Sequence, residues 1–436
     1  MPQLSAHWPF SPKSTPFFYG WVIWLLSTLG VLFSIPGQTM GMAVFTDAFI
    51  DGLGLTRTEL SMAYLVGTVG SSLFLTRAGR WYDIYGARLM ITVSSLLLGI
   101  MVAFISISDL LADWLGGGIV VSFCLIMVGY FGVRFLGQGV LTSCARNVLL
   151  LWFIKRRGLV SGVRGVFLSL GFSLAPLLLG WMILTFGWRE SLWIMAVVVG
   201  IGFSLTSFVF VRDTPASCGL RPDGGLLDDA GAVEVKDIPS VALREARRSP
   251  VFWIYCGSLG MHAMFGTALT FHIVSIFAEA GRDSTEAFGY FFPAAVFSTV
   301  MNLLASSVVD RHPLKPYLLL MLVFFITGAV GLLNLQQDWG FWLLAVGFGA
   351  GGGLWGVTSN LAFIRFFGPL HLGEITGLNA SLTVFASAIG PAAFSLGLDY
   401  FGSYNAAVWV SLGLLVILLM AALWVRQEEV IHVEHG

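Results

Sequence analysis

Long apolar runs constrain this chain more than any other feature of its sequence. Twelve of them, most about 20 residues or longer, alternate with polar or glycine- and proline-containing connections. A helix needs about 20 mostly apolar residues to cross the roughly 30 Å of hydrocarbon in a bilayer. Only 11% of the residues are charged, against about 25% in an average soluble protein. The sequence therefore excludes a soluble fold and predicts an all-α membrane protein with twelve transmembrane helices.

One long polar segment divides the apolar runs into two groups of six. We place the spans at 18–46, 59–77, 88–108, 117–150, 158–186, 190–211, 252–278, 286–309, 314–335, 341–367, 373–397 and 404–425. The predicted organisation is a cytoplasmic N-terminal tail at 1–17, an N-terminal six-helix bundle at 18–211, a cytoplasmic linker at 212–249, a C-terminal six-helix bundle at 250–425 and a cytoplasmic tail at 426–436.

Basic residues are distributed unevenly between the two ends of these spans. With both termini in the cytoplasm, 18 of the 23 Lys and Arg residues flank the cytoplasmic side, and only Arg57, Arg189 and Arg282 lie outside. The remaining two, Arg134 and Arg164, fall within spans. Because Lys and Arg concentrate on the cytoplasmic side of membrane proteins, this distribution predicts cytoplasmic termini and a multi-pass protein of the cell inner membrane.

The two halves of the chain repeat one another at fixed sequence offsets. Segments 56–59 and 283–286, both typical of helix starts, lie 227 residues apart. The same offset joins Asp83/Asp310 and Arg88/Lys315, whereas an offset of 215 joins Gly158/Gly373, Gly162/Gly377, Pro176/Pro391 and Gly187/Gly402. We infer two homologous six-helix bundles, a design in which a substrate site lies near the membrane midplane between the halves.

Residues 79–88, GRWYDIYGAR, separate the second and third spans. An acid in such a segment can accept hydrogen bonds from a neighbouring helix N-terminus and pair with Arg, and these contacts would break when the bundles move. The alternative is a tight loop that merely carries cytoplasmic positive charge. The predicted conformational latch consists of Gly79, Asp83, Gly86 and Arg88, with a weaker repeat at Asp310 and Arg311.

The same segment resembles the loop signature of the major facilitator superfamily, Gly-x-x-x-Asp-x-x-Gly-x-Arg. Two further stretches, WFIKRRGLVSG at 152–162 and RDTPASCGLRPDG at 212–224, resemble those of monocarboxylate transporters and oxalate/formate antiporters. The resemblance implies the major facilitator fold, a transport function and a central cavity lined by spans one, four, seven and ten. The eighth and eleventh spans lack the embedded charges expected in lactate and oxalate carriers of this group.

Arg134 lies deep in the fourth span, within RFLGQG, which is similar to an Arg-x-x-x-Gln-Gly element of the family. An arginine near the bilayer centre costs at least about 2.5–3.5 kcal/mol, so it should face water, a partner or a ligand. Tyr130, Arg134 and Gln138 fall within about 80° of one face of a regular helix. Arg134 can therefore bind an anion through its bidentate guanidinium, or it can bond backbone carbonyls and hold the bundles together.

Other polar residues lie at depths suited to the same cavity. The resemblance places Gln38, Arg134, His262 and Asn360 around one site, since they belong to spans one, four, seven and ten. Arg164 either lines the cavity or extends to the cytoplasmic interface. His262 is the candidate proton-coupling group or a neutral hydrogen-bonding residue, and His272 is placed outside the site.

Prolines inside three spans, Pro36, Pro176 and Pro391, are predicted helix breaks. No segment predicts a cofactor, nucleotide or metal site: GAGGG at 349–353 lacks the Lys-Ser/Thr of a phosphate loop, and the four cysteines lack metal-ligand spacing. A net charge of -1 provides no basic surface for nucleic acid.

The leading hypothesis is a secondary active transporter, not an enzyme, that works by alternating access. Its substrate would be a small organic anion, a mono- or dicarboxylate, moved by proton symport or anion exchange, because Arg134 and Arg164 are the embedded charges. Two alternatives stay open: an exporter of hydrophobic or cationic compounds, favoured by the Phe- and Trp-rich spans, and a non-transporting membrane sensor.

Overall fold

The computed structural model describes residues 6–224, 239–426 and 429, and this part of the chain is helical without strands. Eleven helices of the described part are long and apolar enough to cross a bilayer. The second predicted span is not among these eleven, because its helix, Arg57–Ser72, has only 16 residues. After Leu73 and Phe74 the chain continues into the helical stretch Leu75–Ser106. Residues 225–238 of the predicted linker and parts of both predicted tails lie outside the described residues.

Eleven α-helices and two π-helices build the first half of the described chain. They are α1 (Gly20–Leu32), α2 (Thr39–Ala43), α3 (Thr46–Leu53), α4 (Arg57–Ser72), α5 (Leu75–Ser106), α6 (Ser108–Trp114), α7 (Ile119–Val133), a π-helix (Arg134–Leu141), α8 (Thr142–Trp152), α9 (Arg157–Phe186), α10 (Trp188–Ala196), a second π-helix (Val197–Phe203) and α11 (Ser204–Phe210). Short 3₁₀ turns lie at Pro12–Ser14, Ile35–Gly37 and Ala216–Cys218.

The second half repeats this pattern with longer unbroken helices. They are α12 (Leu243–Ala246), α13 (Pro250–Glu279), α14 (Ser284–Gly289), α15 (Phe291–Val308), a 3₁₀ turn (Val309–Arg311), α16 (Lys315–Leu333), α17 (Asp338–Phe367), α18 (Leu372–Phe401) and α19 (Asn405–Trp424). Long apolar helices suit a bilayer, because a helix forms all its backbone hydrogen bonds internally where no water is available.

The chain divides into two compact units, each with its own core. Unit 1 comprises 1–154, 167–237 and 369–381, and unit 2 comprises 155–166, 238–368 and 382–436. The starts of α9 and α18 therefore belong to a different unit from the rest of those helices. The bundle boundaries inferred from the sequence stay a prediction.

Helix starts follow the capping chemistry visible in the sequence. Thr56 accepts from the backbone N–H of Glu59, and the Glu59 carboxylate accepts from the N–H of Thr56, which completes a capping box. Asp283 accepts from the N–H of Glu286 at the start of α14. The prediction of two related helix starts is confirmed.

The prolines behave differently from one another. Pro36 lies in the 3₁₀ turn after α1, so the first span is interrupted there as predicted. Pro176 and Pro391 lie inside α9 and α18, and both helices continue past them, so the bends expected at these prolines stay a prediction. A proline removes one hydrogen bond of the helical ladder, and packed neighbouring helices make that loss tolerable in a membrane protein.

Segment 79–88 joins two helical stretches. Residues 79–85 are helical, Gly86 has non-helical φ +83° and ψ 170°, and a second helical stretch follows it, so α5 consists of two helices that meet at this glycine. The Asp213 carboxylate accepts from the N–H of Arg88 at 2.8 Å and occupies the space that a side chain on Gly86 would need. Burial raises the pKa of the Asp213 carboxyl, while the Arg88 N–H and its charge oppose that shift. Gly86 therefore allows a sharp turn of the backbone, and the Asp213 carboxylate caps the helical segment that follows it.

Replacing Gly86 with alanine should destabilise the protein more than replacing Gly116, which also has positive φ but open space where a methyl group would lie. Both variants carry the strain of a positive φ, which costs about 1–3 kcal/mol. Gly86→Ala should add about 1–3 kcal/mol because the methyl group displaces the Asp213 carboxylate from the Arg88 amide. Thermal unfolding in detergent, followed by tryptophan fluorescence, measures the difference. Equal losses in the two variants would show that the Asp213 contact contributes nothing.

Candidate functional site

Arg134 is a deeply buried charge of unit 1, with 3% of its surface exposed. Its guanidinium donates to the Gly37 carbonyl at 3.1 Å and faces the Thr39 hydroxyl at 3.4 Å. The ring of Tyr64 lies 5.2 Å from the guanidinium carbon, and its hydroxyl is 2.8 Å from that of Thr39. We refer to Gly37, Thr39, Tyr64 and Arg134 as the Arg134 cluster.

The Arg134 cluster contains no counter-ion. Among the described residues, no carboxylate lies within ion-pairing distance of the guanidinium, and the buried Nε–H has no hydrogen-bond acceptor. A buried cation is normally paired, because removing it from water costs several kcal/mol. Arg134 therefore bonds a backbone carbonyl, as one interpretation of the sequence held, and also retains donors for an anion.

The helix around Arg134 is widened, which the sequence did not predict. Residues Arg134–Leu141 form a π-helix, a feature found often at functional sites. The hydroxyl of Thr142 donates to the Gly137 carbonyl at 3.0 Å, and the backbones of Gly137 and Gly37 approach so closely that neither has room for a side chain. The regular-helix arc assumed for Tyr130, Arg134 and Gln138 is therefore wrong beyond Arg134.

The other predicted residues of unit 1 take different positions. Tyr130 is buried and packs edge-on against Tyr64, with ring centroids 5.2 Å apart. Gln38 donates to the Ser34 hydroxyl at 3.0 Å and faces the Thr142 hydroxyl at 3.4 Å, so it joins the first span to the fourth. Gln138 is half-buried within the π-helix. Tyr130 supports the Arg134 cluster, whereas Gln38 belongs to a separate polar network.

Unit 2 holds Arg164, the other arginine that the sequence places within a span. Arg164 is 2% exposed, and its Nη2 lies 3.5 Å from the Asn360 side-chain oxygen. Arg164 is therefore packed among protein atoms, and its role in a cavity stays a prediction. The side-chain amide of Asn360 donates to the Gly356 carbonyl at 2.8 Å, which fixes the oxygen toward Arg164.

Asn302, on α15, was missed by the sequence analysis. Its amide donates to the Gly353 carbonyl at 3.1 Å, and its buried oxygen has no partner among the described residues. Added side chains at Gly165 and Gly356 would contact Asn302, so it faces the same helices as Arg164 and Asn360. Only charged residues were expected to mark a site in the eighth span, and this amide is uncharged.

The two histidines of α13 have opposite surroundings. His262 stacks on Phe325 and Trp355, each 5.0 Å away, and its buried Nδ1 has no partner in the described part of the chain. His272 has oxygen atoms at both ring nitrogens: Nε2 lies 3.0 Å from the Pro391 carbonyl, and Nδ1 lies 3.5 Å from the Tyr404 hydroxyl. The histidine that the sequence placed outside the site has the more polar environment.

Asp83 and Asp310 each accept hydrogen bonds from the start of another helix. The Asp83 carboxylate accepts from the N–H groups of Gly373 and Glu374 at 2.7 and 2.8 Å in unit 1. In unit 2, Asp310 accepts from the N–H of Gly158 at 2.8 Å. Gly79 allows close approach, because a side chain there would overlap the Gly373 backbone. The repeat thus places an acid at the N-termini of α18 and α9, where the helix dipole favours negative charge.

The basic residues predicted for this latch have other surroundings. Arg88 donates to the carbonyls of Phe208 and Trp8 at 2.7 and 3.0 Å rather than to Asp83. Arg311 is exposed, and Arg365 lies 3.6 Å from Asp310 in its place. Carboxylates capped by backbone N–H groups need no arginine partner, which leaves Arg88 for other acceptors.

Solved structures similar to this chain share its fold. A bacterial homologue of the iron transporter ferroportin has a TM-score of 0.70 at 16% identity, covering 92% of this chain and 98% of that one. The fucose:proton symporter of E. coli has a TM-score of 0.62 at 13% identity, and the human organic anion transporter MFSD10 has 0.62 at 16%. Both of these matches cover 94% of this chain and 100% of the other.

Sequence comparisons relate the chain to a known transporter and to a protein family. It is 22% identical over 197 residues to a hexuronate transporter of Bacillus subtilis (strain 168), and the match covers 44% of this chain. The chain spans about two fifths of that relative, 42% of its length. Residues 26–391 match the sequence pattern of the Major Facilitator Superfamily. Because that match covers most of the 436 residues and the helical fold agrees with it, the chain belongs to the Major Facilitator Superfamily.

Proposed function

We propose that this multi-pass membrane protein is a secondary active transporter of a small organic anion, either a mono- or dicarboxylate or a sugar acid. The observation that carries the proposal is the Arg134 cluster: a buried guanidinium without a carboxylate partner among the described residues. A bound carboxylate would supply the missing negative charge and accept from donors that the Gly37 carbonyl leaves available. The proposed orientation keeps both termini in the cytoplasm.

Polar groups of unit 2 suit a substrate that also carries hydroxyl groups. Asn302 and Asn360 provide side-chain amides there, and an amide both donates to and accepts from a hydroxyl. The partial similarity to a hexuronate transporter supports a sugar acid, which combines one carboxylate with several hydroxyls. The resemblance to monocarboxylate and oxalate/formate carriers supports simpler acids of the same charge.

Transport by alternating access requires contacts that form and break. Asp83 at the start of α18 and Asp310 at the start of α9 are such contacts, because each consists of a few hydrogen bonds between separate helices. We assign them the role of the conformational latch. Loss of either capping acid would favour the state in which these helix starts are released.

Proton symport and anion exchange are the two modes of coupling in this proposal. His262 was the sequence-based candidate, but its stacked ring has no acceptor for a second N–H in the described part of the chain. Both nitrogens of His272 face oxygen, so its ring can be accommodated neutral or protonated. We therefore favour His272 as the proton-coupling residue if transport is coupled to protons.

Arg134→Ala should abolish anion uptake, because no other charge of the Arg134 cluster can bind the carboxylate. Arg134→Lys should retain uptake at saturating substrate with weaker affinity, since lysine keeps the charge but loses the bidentate geometry. Counterflow of labelled glucuronate, lactate and oxalate into proteoliposomes measures both effects. The exposed Arg80→Ala is the matched control.

Several outcomes would contradict the proposal. Unchanged counterflow in Arg134→Ala would remove Arg134 from the site. Flux of lipophilic cations without flux of acids would indicate an exporter, for which the aromatic surroundings of His262 are the favouring observation. Binding of an acid without any flux would indicate a membrane sensor.

His272→Gln should abolish the stimulation of uptake by an inward proton gradient and leave counterflow intact, because glutamine keeps a hydrogen-bonding group but does not titrate. His262→Gln should leave both activities in place. Uptake and counterflow at a series of external pH values distinguish them. The opposite pattern would restore His262 as the coupling residue, and no gradient effect in the unmodified protein would favour anion exchange.

A further inference from the structure

Arg146 is a second arginine of the fourth span, although its position near the predicted end of that span grouped it with the cytoplasmic charges. Helix α8 continues to Trp152, so Arg146 lies six residues before the end of the candidate span Ile119–Trp152. Its side chain is half-buried. Among the residues that the structure describes, it forms no hydrogen bond, ion pair or ring contact.

The neighbours of Arg146 show which face of α8 it occupies. Ala145 packs toward α1, where a side chain on Gly30 would meet its methyl group, and Asn147 donates to the Thr376 hydroxyl at 2.9 Å. Residues four apart share a helix face, so Arg146 follows Thr142. The Thr142 hydroxyl lies 3.0 Å from that of Ser34 and 3.4 Å from the Gln38 amide. The face that bears Arg146 is therefore polar one turn away.

Three buried arginines, Arg88, Arg212 and Arg365, have several acceptors each in the described part of the chain. Arg88 and Arg212 donate to backbone carbonyls, including that of Trp8, and Arg365 donates to the carbonyls of Val309 and His312 and contacts Glu429. Arg134 differs from these because its buried Nε–H has no acceptor, and Arg146 differs because it forms no hydrogen bond, among the residues that the structure describes. They lie twelve residues apart on one span, about 18 Å along a helix axis.

We propose that Arg146 is a second anion-binding residue, which binds the carboxylate of the transported acid on the side of the membrane where α8 ends. This inference rests on the proposed transport of an organic anion. Arg134 and Arg146 provide two binding positions along one span, and the Thr142, Ser34 and Gln38 network lies on the Arg146 face between them. A carboxylate released by Arg134 binds Arg146 before it leaves on that side.

The test compares substrate affinity at the two membrane faces. Vesicles of defined orientation report the half-saturation concentration for a labelled carboxylate offered at each face. Arg146→Gln should raise this concentration roughly ten- to hundredfold at the face where α8 ends, because a charge-assisted hydrogen bond is lost. At the opposite face the value should stay within about twofold of the unmodified protein. Arg146→Lys, which keeps the charge, should raise it by only about a few-fold.

Controls separate this inference from the proposed function. Arg80→Gln removes an exposed arginine of the same unit and should change neither face. If Arg146→Gln matches Arg80→Gln while Arg134→Ala loses uptake, the second position is wrong and the transporter proposal stands. If the unmodified protein moves no carboxylate at all, the transporter proposal itself fails. If Arg146→Gln does not fold, Arg146→Lys provides the test. The same half-saturation concentration in Arg146→Lys and in the unmodified protein, at both faces, then overturns the inference.

Discussion

The cost of an unpaired polar group away from water governs this structure. In hydrocarbon, each backbone N–H and C=O must be bonded within the protein, which permits helices and little else. The same cost decides how arginines are used. Arg212, with 1% of its surface exposed, donates to carbonyls of residues 6, 8 and 10 and so fixes the start of the described chain against unit 1. Arg134 donates to one carbonyl as well, but its buried Nε–H has no acceptor among the described residues, which makes it a candidate for binding a ligand.

Several helix N-termini of the chain are satisfied by acids. Asp83 and Asp310 accept from the first N–H groups of α18 and α9. Asp213 accepts from Arg88 in the first half, and Glu429 accepts from Leu314 at 2.5 Å in the second. These four carboxylates use charge-assisted hydrogen bonds that weaken when the geometry changes. Helix starts held by single acids can be released without unfolding any helix, which suits a protein that must change conformation to transport.

Much of the fold follows from the sequence, because it depends on local periodicity and length. Apolar runs predicted the spans, the pattern at Thr56–Glu59 predicted a capping box, and the loop signature predicted the superfamily. The sequence predicted the residues of the candidate site less completely. Gln138 was assigned to a helix face that the π-helix changes, and Asn302 was overlooked because only charged residues were sought in its span. Arg311 was expected beside Asp310, where Arg365, 54 residues further along, lies instead.

The sequence by itself determined that the chain crosses a membrane many times, that its halves repeat, and that Arg134 and Arg164 are embedded charges. These properties depend on residue type and spacing, which a single sequence contains in full. Only the tertiary structure decided which charges are satisfied. Whether Arg134 or Arg88 finds an acceptor depends on residues such as Gly37 or Trp8, which lie many positions away in the chain. Such partners are brought together by helix packing, and no local pattern records them.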